Sequence, residues 1–257
     1  MLDLRQFPTA VINIPGQADR RDHITRHFAG IGMTPQFIDG VTGVGKIRGC
    51  AQSHAAAFDA MPSTPFMVIE DDVELLWDEP VIPDVPVGAD TIYLGTNTGG
   101  CFPNSEENKA NFGHRSLSDF ALASEHDDNY LRMHSMVGAH AILFLNEEAK
   151  KVYRNQLRIA NNRKTPLDVR YAYLMPQMNV YALRRPMFAE AQHLQANAKT
   201  SQSRFEVTHS PLTPSRPGDI RVGEKRGKRV TAEAVDTGNG LLEWSVVDMV
   251  PLDEPAA

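Results

Sequence analysis

The chain has 257 residues, 42% hydrophobic and 23% charged, a profile that supports a large buried core and excludes a disordered tail, a fibre or a small stapled domain. Its 26 Lys and Arg stand against 32 Asp and Glu, a formal net charge of -6, which disfavours nucleic acid as the main partner. The two cysteines, Cys50 and Cys101, have no CxxC or His-x-x-x-His neighbour, so the sequence supports neither a zinc cluster nor a disulfide framework and suits a reducing, cytosolic setting. No stretch reaches the ~18 consecutive apolar residues of a membrane span. Met1 to Ala10 carries Asp3 and Arg5 in place of a signal peptide's apolar segment, so work inside the cell is expected.

In chain order, the β-branched run Thr9 to Ile14 predicts a buried strand, closed by Pro15 and Gly16 and followed by a charged helix from Asp19 to Ala29. Pro35 to Ile38 predicts a second strand, the glycines at 40, 43, 45 and 49 a mobile loop, and Cys50 to Ala60 a helix closed by Pro62. Phe66 to Ile69 is an apolar strand that meets Glu70, Asp71 and Asp72 with no turn residue between. Asp90 to Leu94 is another strand, and 96 to about 129 reads as loop with short helices. Val137 to Leu145 reads as a strand, Glu147 to Leu157 as a helix capped by Asn146, and Leu167 to Leu174 as a helix begun by Pro166. This alternation predicts an α/β fold. The Ser, Thr, Gln and Asn-rich stretch after Gln195, with Pro211, Pro214 and Pro217, predicts a core domain over 1–203 and a linker with an appendage over 204–257. Within it, Val230 to Val235, the turn candidate Asp236 to Gly240 and Leu241 to Val250 suit a hairpin.

Three adjacent acids at the end of a buried strand repel one another unless they are solvated or paired. A divalent cation is one compensator, and a solvated strand end is the other reading. Strand alternation would send Glu70 and Asp72 to one side, where they can share a hard metal, and Asp71 to the other, where it can bond a ligand hydroxyl. Ser53 and His54, read as lying near the first turn of a helix, suit either a diphosphate held by free N–H groups or ordinary backbone contacts. His140 reads as a core histidine, Asp168 as a helix-start carboxylate, and Asp119, Asp127 and Asp128 as solvated. The basic run Lys225 to Arg229 reads as a solvated face or a contact for an anionic acceptor or lipid head group.

With these blocks in order, the chain resembles the glycosyltransferase family 25 proteins, which include bacterial lipopolysaccharide sugar transferases and collagen galactosyltransferases. The likeness covers residues 9 to about 195. It rests on Val11-Ile-Asn-Ile14 with Asp19-Arg-Arg21, on Gly49, Cys50, Ser53 and His54 of a G-C-x-x-S-H block, and on Ile69-Glu-Asp-Asp-Val73. It continues through Asp90-Thr-Ile-Tyr-Leu-Gly95, Gly138-Ala-His-Ala141 and Pro166-Leu-Asp168. The turn Pro15 to Ala18, Ile142 and the terminal 60 or so residues depart from the family pattern.

The resemblance implies a GT-A type nucleotide-sugar fold with a central, mostly parallel sheet, and an inverting, metal-dependent hexosyltransferase. Asn13, Arg20, Arg21, Ser53, His54 and Asp71 would contact the donor, a nucleotide-diphosphate sugar. Glu70 and Asp72 would hold Mn2+ or Mg2+. Asp168, with His140 behind it, would take the acceptor's proton. The acceptor would be a saccharide or glycolipid such as lipopolysaccharide or another surface glycan, reached in the cytoplasm or at the inner membrane face. The rival expectations are a sugar-nucleotide-binding protein without turnover and a phage-type DNA-base glycosyltransferase.

Overall fold

All five residues of β1 (Thr9–Asn13) are buried, the pattern of a strand covered on both faces. In the computed structural model, which describes residues 1–113, 115–195 and 210–252, it is followed by α1 (Ala18–Gly30), β2 (Gln36–Asp39) and α2 (Lys46–Ala60). β3 (Phe66–Glu70) and β4 (Val73–Leu75) come next, with Asp71 and Asp72 in the turn between them. Then follow β5 (Thr91–Tyr93), α3 (Glu106–Phe112), β6 (Leu122–Glu125), β7 (Tyr130–Ser135) and β8 (Ala141–Phe144). The body closes with α4 (Glu147–Arg163), α5 (Leu167–Ala172), β9 (Val180–Leu183) and β10 (Phe188–Glu190). Among the described residues no helix is long and apolar enough to cross a membrane.

The central sheet has eight strands in the order β6, β7, β9, β5, β8, β3, β1, β2. Six run in a common direction, and β7 and β8 run against them. This is the α/β class with the predominantly co-directional sheet that was expected. Two segments differ from the sequence reading. The stretch read as loop contains α3 and β6, because β6 buries only Leu122 and Ala123 and finds its stability in pairing with β7. The strand read over Val137 to Leu145 shrinks to β8, since Gly138 at φ +130° breaks the extended run. His140 therefore stands just before β8 and not in mid-strand.

Alternation along the strands divides the core in two. Ala10, Ile12, Phe66, Val68, Ile142 and Phe144 pack with α2, α4 and α5, whereas Val11, Met67, Ile69 and Leu143 pack with Ile24 and Phe28 of α1. On the first face an aromatic column runs from Phe58 to Phe144 (4.7 Å), Tyr153 (5.1 Å) and Tyr171 (4.6 Å). It ties α5 to the sheet, and with α5 the neighbouring Asp168. The Asn146 side chain caps α4 by accepting from Ala149 N–H at 2.8 Å.

The boundary expected near residue 203 lies outside the described residues. From residue 210 the chain returns to the body: Ser215 N–H donates to Ala123 O at 2.7 Å. β11 (Ile220–Lys225), β12 (Lys228–Gly238) and β13 (Leu241–Pro251) form an antiparallel sheet of their own. Arg226 and Gly227 turn its first hairpin and Asn239 and Gly240 its second, all with positive φ, the signature of a type I′ turn. The basic run is thus largely a hairpin turn. The sheet packs on the body through one shared cluster, in which Val230, Leu242 and Trp244 meet Phe102, Phe112 and Leu122. Trp244 is 1% exposed, edge-on to Phe120 at 4.9 Å.

Replacing Trp244 by Ala is expected to lower stability by about 3–5 kcal/mol, read as a shift in the urea midpoint at constant slope. An unchanged midpoint would mean that the C-terminal sheet contributes nothing to the cooperative core.

Candidate functional site

The three consecutive acids do not share one environment. β3 ends at Glu70, so the alternation expected to pair Glu70 with Asp72 stops there, and the turn regroups the carboxylates. Asp71, 4% exposed, reaches the α1 side, where Asn13 Nδ2 donates to its Oδ2 at 2.7 Å. Arg20 Nη1 donates to Asp71 Oδ1 at 2.9 Å and to Asp72 Oδ2 at 3.1 Å. Burial works against the Arg20 charge, but Asp72 and Asp71 outweigh it and raise its pKa. Arg21, expected beside the donor, instead lays its guanidinium over the Phe37 ring at 4.2 Å.

Glu70 goes to the other face, against α2. That helix begins at Lys46 and not at Cys50, so Ser53 and His54 stand about two turns inside it. The first-turn diphosphate cradle expected of them is not there. The helix runs through Gly49 because a Cβ at that position would lie 2.5 Å from Val41 O. Ser53 Oγ closes the same approach, donating to Gly49 O at 2.7 Å and accepting from Val41 N–H at 2.8 Å. His54 Nε2 donates to Glu70 Oε1 at 3.2 Å. Burial raises the Glu70 pKa, but His54, His140 and Arg20 overcome it and leave the carboxyl below its usual range.

The two residues expected to move a proton also lie by Glu70. His140 is 3% exposed, and burial brings its pKa down to about 4 although the charge on Glu70 opposes this. It is therefore neutral at pH 7. Its Nε2 has no hydrogen-bond partner among the described residues. Gly95 leaves the ring its space, since a Cβ there would lie 2.1 Å from that nitrogen. Asp168 Oδ1 accepts from Val169 N–H at 2.8 Å; burial, aided by Glu70, raises its pKa against the pull of Val169 N–H and Arg115.

Sequence reasoning missed Glu190. β10 pairs with β4 so that Glu190 faces Val73, which brings its carboxyl near Asp72 and Glu70. Burial, then Asp72 and Glu70, push it up to about 7, with Arg20 opposing. No local signal marks Glu190, because only the pairing of β4 with β10 puts it here.

Glu70 and Asp72 are not gathered into one oxygen-lined metal site. Asp72 is bonded to Arg20 and Glu70 to His54, so a hard cation shared by the two would have to displace both contacts. The set that does converge is mixed: ligand atoms of Cys50, His54 and Glu70 all lie within 4.8 Å of one another.

No protein-family model matches the chain, and no curated protein is similar to it in sequence. Solved structures with some likeness include UTP-bound UGPase from Acinetobacter baumannii, 10% identical with a TM-score of 0.40 over 72% of this chain and 89% of that one. Another is a Drosophila β-1,4-galactosyltransferase 7 mutant in complex with manganese, UDP-Gal and xylobiose, 10% identical with a TM-score of 0.36 over 95% of this chain and 94% of that one. Overlap of this degree carries no argument about this chain.

The raised pKa of Glu190 has a signature in stability. Between about 4.5 and 7 the folded protein keeps a proton that the unfolded chain gives up, so this group makes stability fall as pH rises through that window. Glu190→Gln is expected to flatten the decline, measured by denaturant unfolding at pH 5 and pH 8. An equal decline in parent and variant would show that Glu190 titrates normally.

Proposed function

We propose that this protein is a GT-A type, inverting glycosyltransferase that moves a sugar from a nucleotide-diphosphate donor to a saccharide or glycolipid acceptor, such as lipopolysaccharide or another surface glycan. The observation that carries the reading is the meeting at one sheet edge of Asn13 from the end of β1, Arg20 from α1, Glu70 from the end of β3, Glu190 from β10 and Asp168 from α5. The carboxyl ends of co-directional strands are where open α/β sheets bind ligands.

In this reading Arg20 and Asn13 face the donor, and the guanidinium offsets charge that builds on the departing diphosphate. The acceptor oxygen bonds to the anomeric carbon as the bond from that carbon to the diphosphate oxygen breaks. Asp168 takes the acceptor's proton, held by its Val169 N–H contact and by the aromatic column behind α5. His140, neutral at pH 7, is the second candidate for that role. Manganese or magnesium, the ions expected for such a transfer, would stabilise the leaving diphosphate, but the carboxylates as arranged do not form that site.

Purified protein offered a panel of nucleotide sugars with saccharide acceptors is expected to release nucleoside diphosphate and invert the anomeric centre. Release with none of them would remove the proposal. Asp168→Asn keeps the shape of the side chain but not its basicity; it is expected to retain donor affinity by calorimetry and lose turnover by a factor of about 100 to 10,000. Turnover within a few-fold of the parent would transfer the role to another group, Glu190 first.

A further inference from the structure

We propose that Cys50, His54 and Glu70 form a three-ligand site for a borderline divalent cation of the zinc class, open at its fourth position to water or a ligand oxygen. Cys50 and His54 are four residues apart on α2, so they occupy one face of the helix one turn apart. Glu70 meets them from the end of β3. Two ligands about 2.0–2.3 Å from a tetrahedral ion are about 3.3–3.6 Å from each other. His54 Nε2 and Glu70 Oε1 are already 3.2 Å apart, and the thiol completes a triangle with no edge above 4.8 Å, so the sulfur has to close by about 1.5 Å at most.

The surroundings favour a dication. Burial first, then the charges of Glu70, Asp168 and Asp72, push the Cys50 thiol up, with Lys46 opposing them. His140 is buried and within electrostatic reach of Glu70. The helix carrying two of the ligands is held in place by the Gly49 approach to Val41 O and by both Ser53 bonds, which is the preorganisation a metal site needs. Thiolate, imidazole and carboxylate together select zinc-like ions over magnesium or calcium. On binding, the thiol proton is released to solvent, and the Nε2 proton that now bridges to Glu70 gives way to the tautomer protonated at Nδ1. This inference stands on the donor set alone and not on sugar transfer.

The test uses the full chain stripped of metal with a chelator and titrated with Co2+ as a spectroscopic stand-in for zinc. One equivalent is expected to bind with a sulfur-to-cobalt charge-transfer band that Zn2+ abolishes by competition. Cys50→Ser, which exchanges one atom, should lose the band and bind Zn2+ at least about tenfold more weakly; His54→Gln should weaken binding similarly, with circular dichroism confirming that each variant is folded. Asp72→Asn should leave the band in place, because Asp72 supplies no ligand atom. Absence of the band, its survival in Cys50→Ser, or loss of the ion in Asp72→Asn but not in Cys50→Ser would overturn the proposal. Failure to turn over any nucleotide sugar would leave the band intact, so the two readings fail separately.

Discussion

The guanidinium of Arg20 is the contact on which this end of the molecule depends. Two carboxylates adjacent in sequence repel one another, and Asp71 is moreover almost wholly buried. One nitrogen of Arg20 answers both, and Asn13 fills the remaining oxygen of Asp71. One guanidinium thereby offsets part of the charge of the two carboxylates on the α1 side. Losing one member of a buried pair of this kind costs about 3–5 kcal/mol, because the charge left behind has no solvent to turn to. The ion pair also fixes where α1 starts relative to the end of β3, and so where the turn carrying Asp72 stands.

With Asp71 and Asp72 both held by Arg20 on the α1 side, the sheet separates two chemistries within one strand's width. Asn13, Arg20, Asp71 and Asp72 make a hydrogen-bonding, ionic corner on one face. Cys50, His54, Glu70 and Asp168 make a protonic and thiol-bearing corner on the other, with Glu190 within electrostatic reach of both Glu70 and Asp72. The end of β3 at Glu70 divides them, since the turn that follows sends Asp71 and Asp72 together to Arg20. Recognising a charged ligand and moving a proton make opposite demands on nearby charge, so their separation across the sheet lets each corner keep the electrostatics it needs.

Much of the fold was legible because the buried strands are runs of apolar and β-branched residues: Thr9 to Asn13 and Phe66 to Ile69 announce themselves, and the acids at the end of the second run mark the site. The α2 start was misread because Gly49, which reads as a loop residue, serves a close helix-to-loop approach that no local pattern reveals. β6 was lost in an apparent loop because its stability lies in pairing with β7. The convergence of Cys50 and His54 with Glu70 was invisible for the same reason. Spacing shows the helical pair but not the strand end that completes it, and Glu190 appears only once β10 is laid against β4.

The two type I′ turns of the C-terminal sheet bear on the order in which the molecule assembles. Each joins neighbours in sequence through a two-residue turn that holds a glycine at positive φ, so β11, β12 and β13 can find their register with little loop entropy lost, on the microsecond scale of hairpins. The central sheet is built the other way: β1 sits between strands drawn from later in the chain, and β5 pairs with β8 and β9, which lie some 50 and 90 residues further on. Contacts of such separation close slowly. The last segment of the chain is thus the quickest to organise, and its apolar face, carrying Val230, Leu242 and Trp244, is a formed surface on which the slower body can complete its own packing.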